Sequence, residues 1–370
     1  LLLALSPAWF LHSRTGFETV MMSSFFAAFL LCYLLYRTRN PRYLFAAVVF
    51  GAATFYTYSN GQMIMAAAAA LLLLSDLPYH VKQWRTVLLA LLLVAVLAVP
   101  LLRFRATQPE SMTTHLRAIN SYWFEDKPLS AKLGQFIETY AYGLSPAYWF
   151  TPNEHDLVRH RMKGYGNLAL PFLPFFLVGV GLCVWRFRSA PHRAVLLAAL
   201  AAPAGATLVD VSITRVLVFV VPATVLIGLG IETVLAWGLR VTAAERTEAS
   251  EKRNRPLTLE TGGFVDRRHS GISGPSMVSV AKLAVPLALI IVLSGASVWM
   301  LRDALVNGPG WYSDYGLYGM QWGAKQLFAE AIPEVLAENP DNRVMLTSTW
   351  ANGADTFIRF FLPAEQRARV

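Results

Sequence analysis

The segment HSRTGFET at residues 12–19 places basic and acidic side chains directly before an apolar run. Arg14 and Glu18 are four residues apart, so on a continuous helix they share a face and form a local ion pair worth about 0.2–0.5 kcal/mol. A second interpretation makes Glu18 an acid at the mouth of a membrane helix, able to hold a metal or orient a substrate hydroxyl, because ionisable groups in membrane segments usually line a cavity or pair. The segment alone leaves both interpretations open, although Gly16 weakens a helix at this point.

The segment NEHDLVRH at residues 153–160 contains two carboxylates and two histidines. Imidazole and carboxylate groups are both common metal ligands, so a divalent metal ion is a candidate cofactor. His155 and His160 are five residues apart, however, and this spacing does not place them on one helix face. A solvated loop near lipid headgroups is the alternative interpretation. The candidate metal ligands are Glu18, His155 and Asp156.

Four basic side chains are suited to binding a phosphate. Arg159, His160 and Lys163 follow one another closely, and guanidinium offers a bidentate fork whereas ammonium offers a point charge. Arg215 opens the apolar run TRVLVFVVPATVLIGLGIE, where it either snorkels to the membrane interface or anchors a headgroup or pyrophosphate. For an isolated arginine at a helix end, snorkelling is the simpler interpretation. Gly228 and Gly230, later in the same run, predict close helix packing.

Composition indicates a membrane protein. Of the 370 residues, 55% are hydrophobic and only 15% are charged, against about one quarter charged in soluble domains. The net charge of +9 does not predict nucleic-acid binding, because the arginines lie between apolar runs and form no basic stripe with interleaved aromatic residues. Both cysteines, Cys32 and Cys183, lie inside apolar runs, so neither a disulfide framework nor a zinc knuckle is expected. The chain also lacks GxSxG, Walker and HExxH motifs.

Nine apolar runs follow one another along the chain. They cover residues 1–11, 19–36, 43–58, 61–75, 86–102, 169–185, 194–209, 214–238 and 282–301. The first is too short for a hydrocarbon core that needs about 20 residues, and the sequence does not start with Met, so we expect an N-terminally truncated fragment. The runs therefore predict a mainly α, polytopic helical membrane protein with eight spans plus a partial one.

The short loops between the runs differ in their content of Lys and Arg. One alternating set, at 37–42, 75–85 and 186–193, holds eight such residues. The other set, at 12–18, 59–61 and 210–215, holds two. Because basic loops remain in the cytoplasm, the first set is predicted to be cytoplasmic and the second extracytoplasmic. This orientation places the chain in the plasma membrane as a multi-pass protein in contact with membrane lipids.

The same pattern predicts a domain order. Residues 1–238 form a transmembrane region whose extracytoplasmic loop, 103–168, is rich in Trp and Tyr and is expected to lie at the membrane interface. Residues 239–281 are predicted to be a disordered cytoplasmic linker, and 282–301 the last transmembrane helix. Residues 302–370 are predicted to begin an extracytoplasmic α/β domain, because the helix-like QWGAKQLFAEAIPEVLAENP precedes the strand-like RVMLTSTW.

Several blocks, taken in order, carry a resemblance to a known family. They are LSPAWFLHSRTGFETVMMSSFFAAFLL, GAATFYTYSNG, FTPNEHDLVRHRMKGYGNLALPFLPFFLVGVG, TRVLVFVVPATVLIGLGIE and YGMQWGAKQL. Over most of residues 1–330, their order resembles the GT-C membrane glycosyltransferases, especially the protein-mannosyltransferase and aminoarabinose-transferase-like branch. The resemblance implies that helices enclose an outward cavity in which a sugar moves from a polyprenyl-phosphate donor to a lipid, glycan or protein acceptor.

The resemblance also implies roles for particular residues. Glu18 is at the position of the family's second acid, where Asp is more frequent, and the first acid lies upstream of Leu1. In the family the first acid is the expected catalytic base, so this fragment is expected to lack its base, and the predicted catalytic residue within it is Glu18. By resemblance Arg159, His160 and Arg215 are lipid-phosphate candidates, and Arg14 and Lys163 complete the predicted set of phosphate ligands. Arginines or a divalent cation stabilise the phosphate leaving group in such chemistry.

Two other function classes stay open. A transporter or flippase for a lipid-linked or anionic substrate is expected to show two pseudo-symmetric halves with broken helices near the midplane, whereas this chain places its polar residues on one face beside long outer loops. A membrane scaffold that presents the C-terminal segment to a partner is the third class, and it needs no chemistry at Arg14, Glu18 or Arg215.

Overall fold

The computed structural model describes residues 2–14, 17–253, 277–308, 311, 324–346 and 354–370. Helices account for 78% of the structure, and its described residues contain no β-strand. The helices are α1 (Pro7–His12), α2 (Glu18–Thr38), α3 (Tyr43–Thr57), α4 (Ser59–Ser75), α5 (Leu77–Lys82), α6 (Trp84–Thr107), α7 (Ser111–Ala118), α8 (Leu129–Leu144), α9 (Pro146–Phe150), α10 (Leu173–Trp185), α11 (Ala190–Ala201), α12 (Ile213–Val216), α13 (Val220–Arg253), α14 (Met277–Val306), α15 (Ile332–Glu338), α16 (Ala354–Phe361) and α17 (Ala364–Arg367). Short 3₁₀ turns lie at Tyr122–Phe124, Val158–His160, Leu170–Phe172, Ala202–Leu208 and Leu217–Phe219, and a π-helical turn lies at Gln326–Ala331. The predicted mainly α class is confirmed.

Each of the eight complete apolar runs contains a helix, as the sequence predicts. Within the described ranges, four helical segments are both long and apolar enough to cross a membrane: Glu18–Thr38, Trp84–Thr107, Ile213–Trp237 and Leu287–Val306. Tyr43–Thr57, Ser59–Ser75 and Leu170–Trp185 are apolar but shorter. This length pattern is consistent with a membrane protein, since about 20 residues of helix match a hydrocarbon core.

Helices α2 and α6 differ in how they contribute to the bundle. Helix α2 packs against α3, α11 and α13, and Met22, Phe26 and Tyr36 on it are fully enclosed. Of the 24 residues of α6, all of them described, only Ala90 is buried. Helix α6 touches α3, where the Tyr56 hydroxyl donates to the Leu97 carbonyl oxygen at 2.6 Å. Most of α6 therefore lies at the edge of the bundle.

Two glycines allow α10 and α13 to cross in direct backbone contact. A Cβ atom on Gly179 would lie 1.9 Å from the carbonyl oxygen of Leu226, and one on Gly230 would lie 1.9 Å from that of Phe175. The close packing predicted at Gly230 is therefore confirmed, and its counterpart is Gly179. Gly228 is different, because a Cβ there would meet only a Leu2 methyl group at 3.8 Å.

One end of the bundle is held together by a buried carboxylate. Asp76, 2% exposed, accepts the Tyr33 hydroxyl at 2.6 Å and Arg37 Nε at 2.7 Å, and its Oδ1 atom also binds Arg193. We call these four residues the Asp76 cluster. Its members come from loops 37–42, 75–85 and 186–193 or from the helices beside them. These are the three loops whose Lys and Arg content predicts that they lie on the same side of the membrane. The structure thus brings these three loops to one end of the bundle.

The helix boundaries differ from the predicted domain limits after residue 238. Helix α13 continues to Arg253, so the first part of the predicted disordered linker is helical, and α14 begins at Met277. Ala, Glu, Arg and Lys in TAAERTEASEKR favour a helix, which explains the extension. The rest of the predicted linker, 254–276, lies outside the described residues.

The C-terminal segment has a small hydrophobic core of its own. Phe328, Ile332, Leu336 and Leu362 are buried together, and the predicted helix is present as the π-helical turn followed by α15. Pro333 lies at the start of α15, where its missing N–H is tolerated. The predicted strand RVMLTSTW begins with residues 343–346, which are not in a strand, and its remainder lies outside the described residues. The strand of the α/β segment therefore stays a prediction.

Candidate functional site

The predicted outer-face segments meet at the end of α2 opposite the Asp76 cluster. His12 stacks on His160 with ring centroids 5.4 Å apart, and Phe17 packs on the same imidazole at 5.0 Å. Gly205 lies against Asn60, since a Cβ atom on Gly205 would be only 2.9 Å from the Asn60 carbonyl oxygen. We call this the Glu18 end, and the length of α2 places it about 30 Å from the Asp76 cluster.

Two of the three candidate metal ligands, Asp156 and His155, are already bonded to other protein groups at the Glu18 end. Asp156, 3% exposed, accepts the Ile213 backbone N–H at 2.7 Å and the Tyr148 hydroxyl at 3.2 Å. His155 Nε2 lies 2.8 Å from the Val211 carbonyl oxygen and 3.2 Å from the Asp210 carboxylate. These contacts join loop 151–168 to loop 210–215. Among the described residues no group of three His, Cys, Asp or Glu side chains is arranged to hold a metal, and Glu18, His155 and Asp156 do not form one.

The candidate phosphate ligands of loop 151–168 have different environments. His160 is 7% exposed, and burial, followed by the neighbouring His12 and Arg159, lowers the pKa of His160 to about 3. Its imidazole is therefore neutral at pH 7 and packs between rings. Arg159 Nε donates to His160 Nε2 at 3.3 Å, whereas Lys163 is exposed. Of the three candidate phosphate ligands in this loop, Arg159 and Lys163 are therefore the charged ones, because His160 carries no charge.

Arg215 is tied to its own loop. Its Nη1 atom donates to the carbonyl oxygen of Asp210 at 3.0 Å, and the residue lies in the short helix α12. The same loop holds the Asp210 carboxylate beside His155. Arg215 is therefore at the Glu18 end, as its place at the start of an apolar run predicts.

Arg14 and Glu18 do not lie on one helix. Helix α1 ends at His12 and α2 begins at Glu18, with residues 15–16 outside the described residues. The Arg14 guanidinium stacks over the Phe10 ring at 3.8 Å, and no ion pair within 4.0 Å joins it to Glu18 among the described side chains. The prediction of a local ion pair is wrong, because the pair requires a continuous helix, and the turn after His12 interrupts it.

Glu18 instead lines a cavity of about 550 Å³. The carboxylate is exposed and occupies the first turn of α2, where the helix dipole favours a negative charge. The side chains around it are largely aromatic or hydrogen-bonding. They are Phe55, Tyr56, Thr57, Tyr58, Ser59, Gln62, Pro100, Leu101, Phe104 and His115. This volume is within the 300–1,000 Å³ typical of small-molecule sites.

A second cavity of about 500 Å³ adjoins the first and is almost entirely apolar. It runs between α6 and the α3–α4 pair, and both cavities share Phe55, Tyr56 and Leu101. Small residues, namely Gly51 and many alanines, make up much of the lining and leave the groove wide. Its far end reaches Tyr33 of the Asp76 cluster. We call this cavity the apolar groove.

Two features of this arrangement were not predicted from the sequence. His115, in the Glu18 cavity, belongs to no motif and lies within loop 103–168, so only the folding of that loop brings it near Glu18. The Asp76 cluster had a signal, since Asp76 is the single acid among loops that hold eight Lys and Arg residues. A lone buried carboxylate near several arginines is expected to pair with them.

Neither the protein-family models, nor the curated proteins, nor the solved structures contain a match to this chain.

Proposed function

We propose that this protein is a membrane glycosyltransferase that moves a sugar from a polyprenyl-phosphate donor to a lipid, glycan or protein acceptor. The proposal includes the eight-span arrangement in the plasma membrane, with the Glu18 end and the C-terminal α/β segment outside the cell. One observation carries it: a cavity that contains the Glu18 carboxylate, which makes no ion pair among the described residues, adjoins a long apolar groove. A lipid-linked sugar likewise has two parts, a polar headgroup that could occupy the cavity and an apolar chain that could occupy the groove.

The groove is suited to an isoprenoid chain. Such a chain has no hydrogen-bonding groups, so an apolar wall satisfies it, and its contacts with the wall replace van der Waals contacts with lipid tails. Alanine and glycine along α3 and α4 leave room beside the helices, and α6 closes only one side. The groove runs along the bundle from the Asp76 cluster to the Glu18 cavity, so a chain in it would carry its headgroup to Glu18.

Glu18 is suited to act as a general base. Its carboxylate is exposed in the cavity and makes no ion pair among the described residues. A carboxylate in this position can accept the proton of an acceptor hydroxyl as that oxygen attacks the anomeric carbon. The proposal assigns stabilisation of the leaving phosphate to cations of the Glu18 end: Arg14, Arg159, Lys163 and Arg215.

A substitution at Glu18 tests this proposal. In the full-length protein, Glu18→Gln keeps the size of the side chain and removes its basicity, so transfer of sugar from a radiolabelled polyprenyl-phosphate donor should fall at least about tenfold. Glu138→Gln is the matched control, because Glu138 is an exposed glutamate on α8 that does not line the cavity. Equal turnover in the two variants would falsify the catalytic role of Glu18.

The length of the groove also favours a second candidate, a transporter or flippase for a lipid-linked substrate. The groove touches both the Asp76 cluster and the Glu18 cavity, so a lipid could move along it. Proteoliposomes that contain a fluorescent polyprenyl-phosphate lipid distinguish the two candidates. Lipid movement between leaflets without any sugar transfer, unchanged in Glu18→Gln, would favour transport.

A further inference from the structure

We propose that His115 on α7 is a second substrate-contacting residue of the Glu18 cavity, and that it donates a hydrogen bond to the phosphate of the lipid donor. This inference rests on the lipid-phosphate donor of the proposed function. It starts from the observation that His115 and Glu18 line the same cavity although they come from separate parts of the chain.

The composition of the cavity wall makes His115 its distinctive group. The lining side chains include one acid, Glu18, and His115 is the one among them that can become a cation. The Tyr56 and Thr57 hydroxyls already donate to the carbonyl oxygens of Leu97 and Ala53, each at 2.6 Å. A phosphate that enters the cavity beside a carboxylate requires a positive partner, because two like charges at short range repel.

Helix α7 holds His115 with little other packing. None of its residues, Ser111–Ala118, is buried. The chain is anchored just after it, where the Ser121 and Tyr122 hydroxyls donate to the carbonyl oxygens of Leu208 and Thr207, each at 2.5 Å. Helix α7 is therefore anchored at one end and has no buried residue, so packing in the core does not account for His115, the α7 residue that lines the cavity.

The role complements that of Glu18. As the acceptor oxygen forms its bond to the anomeric carbon, the hydroxyl proton passes to Glu18. The bond between that carbon and the phosphate oxygen breaks, its electron pair stays on the phosphate, and the polyprenyl phosphate leaves with one more negative charge. The His115 imidazole stabilises that charge by donating a hydrogen bond to the phosphate, which is charge-assisted because the acceptor is an anion. The titratable groups that face His115 across the cavity are Glu18, Tyr56 and Tyr58.

The test measures binding of polyprenyl phosphate, with polyprenol as the probe that lacks phosphate. Full-length protein in nanodiscs should bind polyprenyl phosphate more tightly than polyprenol. His115→Gln should weaken polyprenyl phosphate binding about tenfold, because a hydrogen bond to a charged group is lost. His115→Lys should keep tight binding, because its ammonium also donates to phosphate, and polyprenol binding should not change in either variant.

Thr114→Gln is the control, because Thr114 is exposed on the same helix and does not line the cavity. The inference is overturned if His115→Gln binds polyprenyl phosphate as Thr114→Gln does, or if it weakens polyprenol equally. Sugar transfer is measured in parallel. Phosphate-selective binding that depends on His115, without any transfer by the wild type, refutes the proposed function and leaves the His115 assignment supported. Transfer by the wild type, with His115→Gln indistinguishable from Thr114→Gln in binding, refutes His115 alone.

Discussion

A carboxylate lies beside each end of α2, Glu18 at its start and Asp76 near its other end, and the two have opposite surroundings. Asp76 is 2% exposed and accepts hydrogen bonds from Tyr33, Arg37 and Arg193. Glu18 is exposed in a cavity and has no ion-pair partner among the described side chains. Removing one partner of a buried charge is costly because the other charges stay buried without it, whereas an exposed carboxylate in a concave site is accessible to solvent and ligands. The difference separates a carboxylate that is bonded within the bundle from one that is exposed in a cavity.

The strongest test of this comparison removes the charge at Asp76. Asp76→Asn leaves Arg37 and Arg193 buried without their carboxylate, and breaking a buried pair in this way costs about 3–5 kcal/mol. Thermal unfolding of the full-length protein in nanodiscs measures the loss. Asp126→Asn, at an exposed loop position, should change stability by less than about 0.5 kcal/mol.

The Asp76 contribution also has a defined pH window. Burial alone would raise the pKa of Asp76, but hydrogen bonds from Tyr33 and Arg193 and the charge of Arg37 hold it below its ordinary value. A carboxyl group with a lowered folded pKa adds stability above its unfolded pKa of about 4 and loses that stability as pH falls through the folded value. The gap between wild type and Asp76→Asn should therefore be full at pH 7 and narrow below about pH 4. A gap that widens in acid would contradict the assignment.

A smaller effect is expected where the bundle is held by close packing rather than by charge. Gly179→Ala places a methyl group against the Leu226 carbonyl oxygen, so α10 and α13 must separate, at a cost of about 1–3 kcal/mol. Gly181→Ala is the matched control on the same helix, because a Cβ at that position has nothing within 4 Å. Alanine favours a helix over glycine, so Gly181→Ala should be neutral or slightly stabilising. Equal melting temperatures for the two variants would refute the contact.

The smallest expected change in stability is at the other carboxylate. Glu18→Gln removes a charge that the described structure leaves without an ion pair, so the free energy of unfolding should change by less than about 0.5 kcal/mol. The measurement is the same thermal unfolding used for Asp76→Asn. A loss above about 2 kcal/mol would show that Glu18 stabilises the fold and would remove the contrast between the two ends.

The sequence predicted the parts of this structure that depend on local composition. Long apolar runs became helices because only helices satisfy their own backbone groups in a hydrocarbon core. The Lys and Arg content of three loops also predicted that they lie on one side, and the structure brings them to one end of the bundle at Asp76. Pairing across the chain was not visible, because Arg193 lies 117 residues from Asp76 and no local period connects them.

The candidate site was predicted less well than the fold. Glu18 lines a cavity, and its role there stays a prediction, but the continuous helix that would join it to Arg14 is not formed. His160 carries a basic side chain in the sequence and is neutral once buried between His12 and Phe17. Burial and loop folding decide both outcomes, and neither follows from residue type and spacing.

The position of α6 at the edge of the bundle has a kinetic consequence. If the bundle lies in a bilayer as proposed, a ligand that enters the groove beside this helix comes from the surrounding lipid and not from water. Its effective concentration is then a mole fraction among membrane lipids, so diluting the membrane with inert lipid at constant bulk donor concentration should slow an unsaturated reaction. Diluting the aqueous phase should leave the rate per protein unchanged.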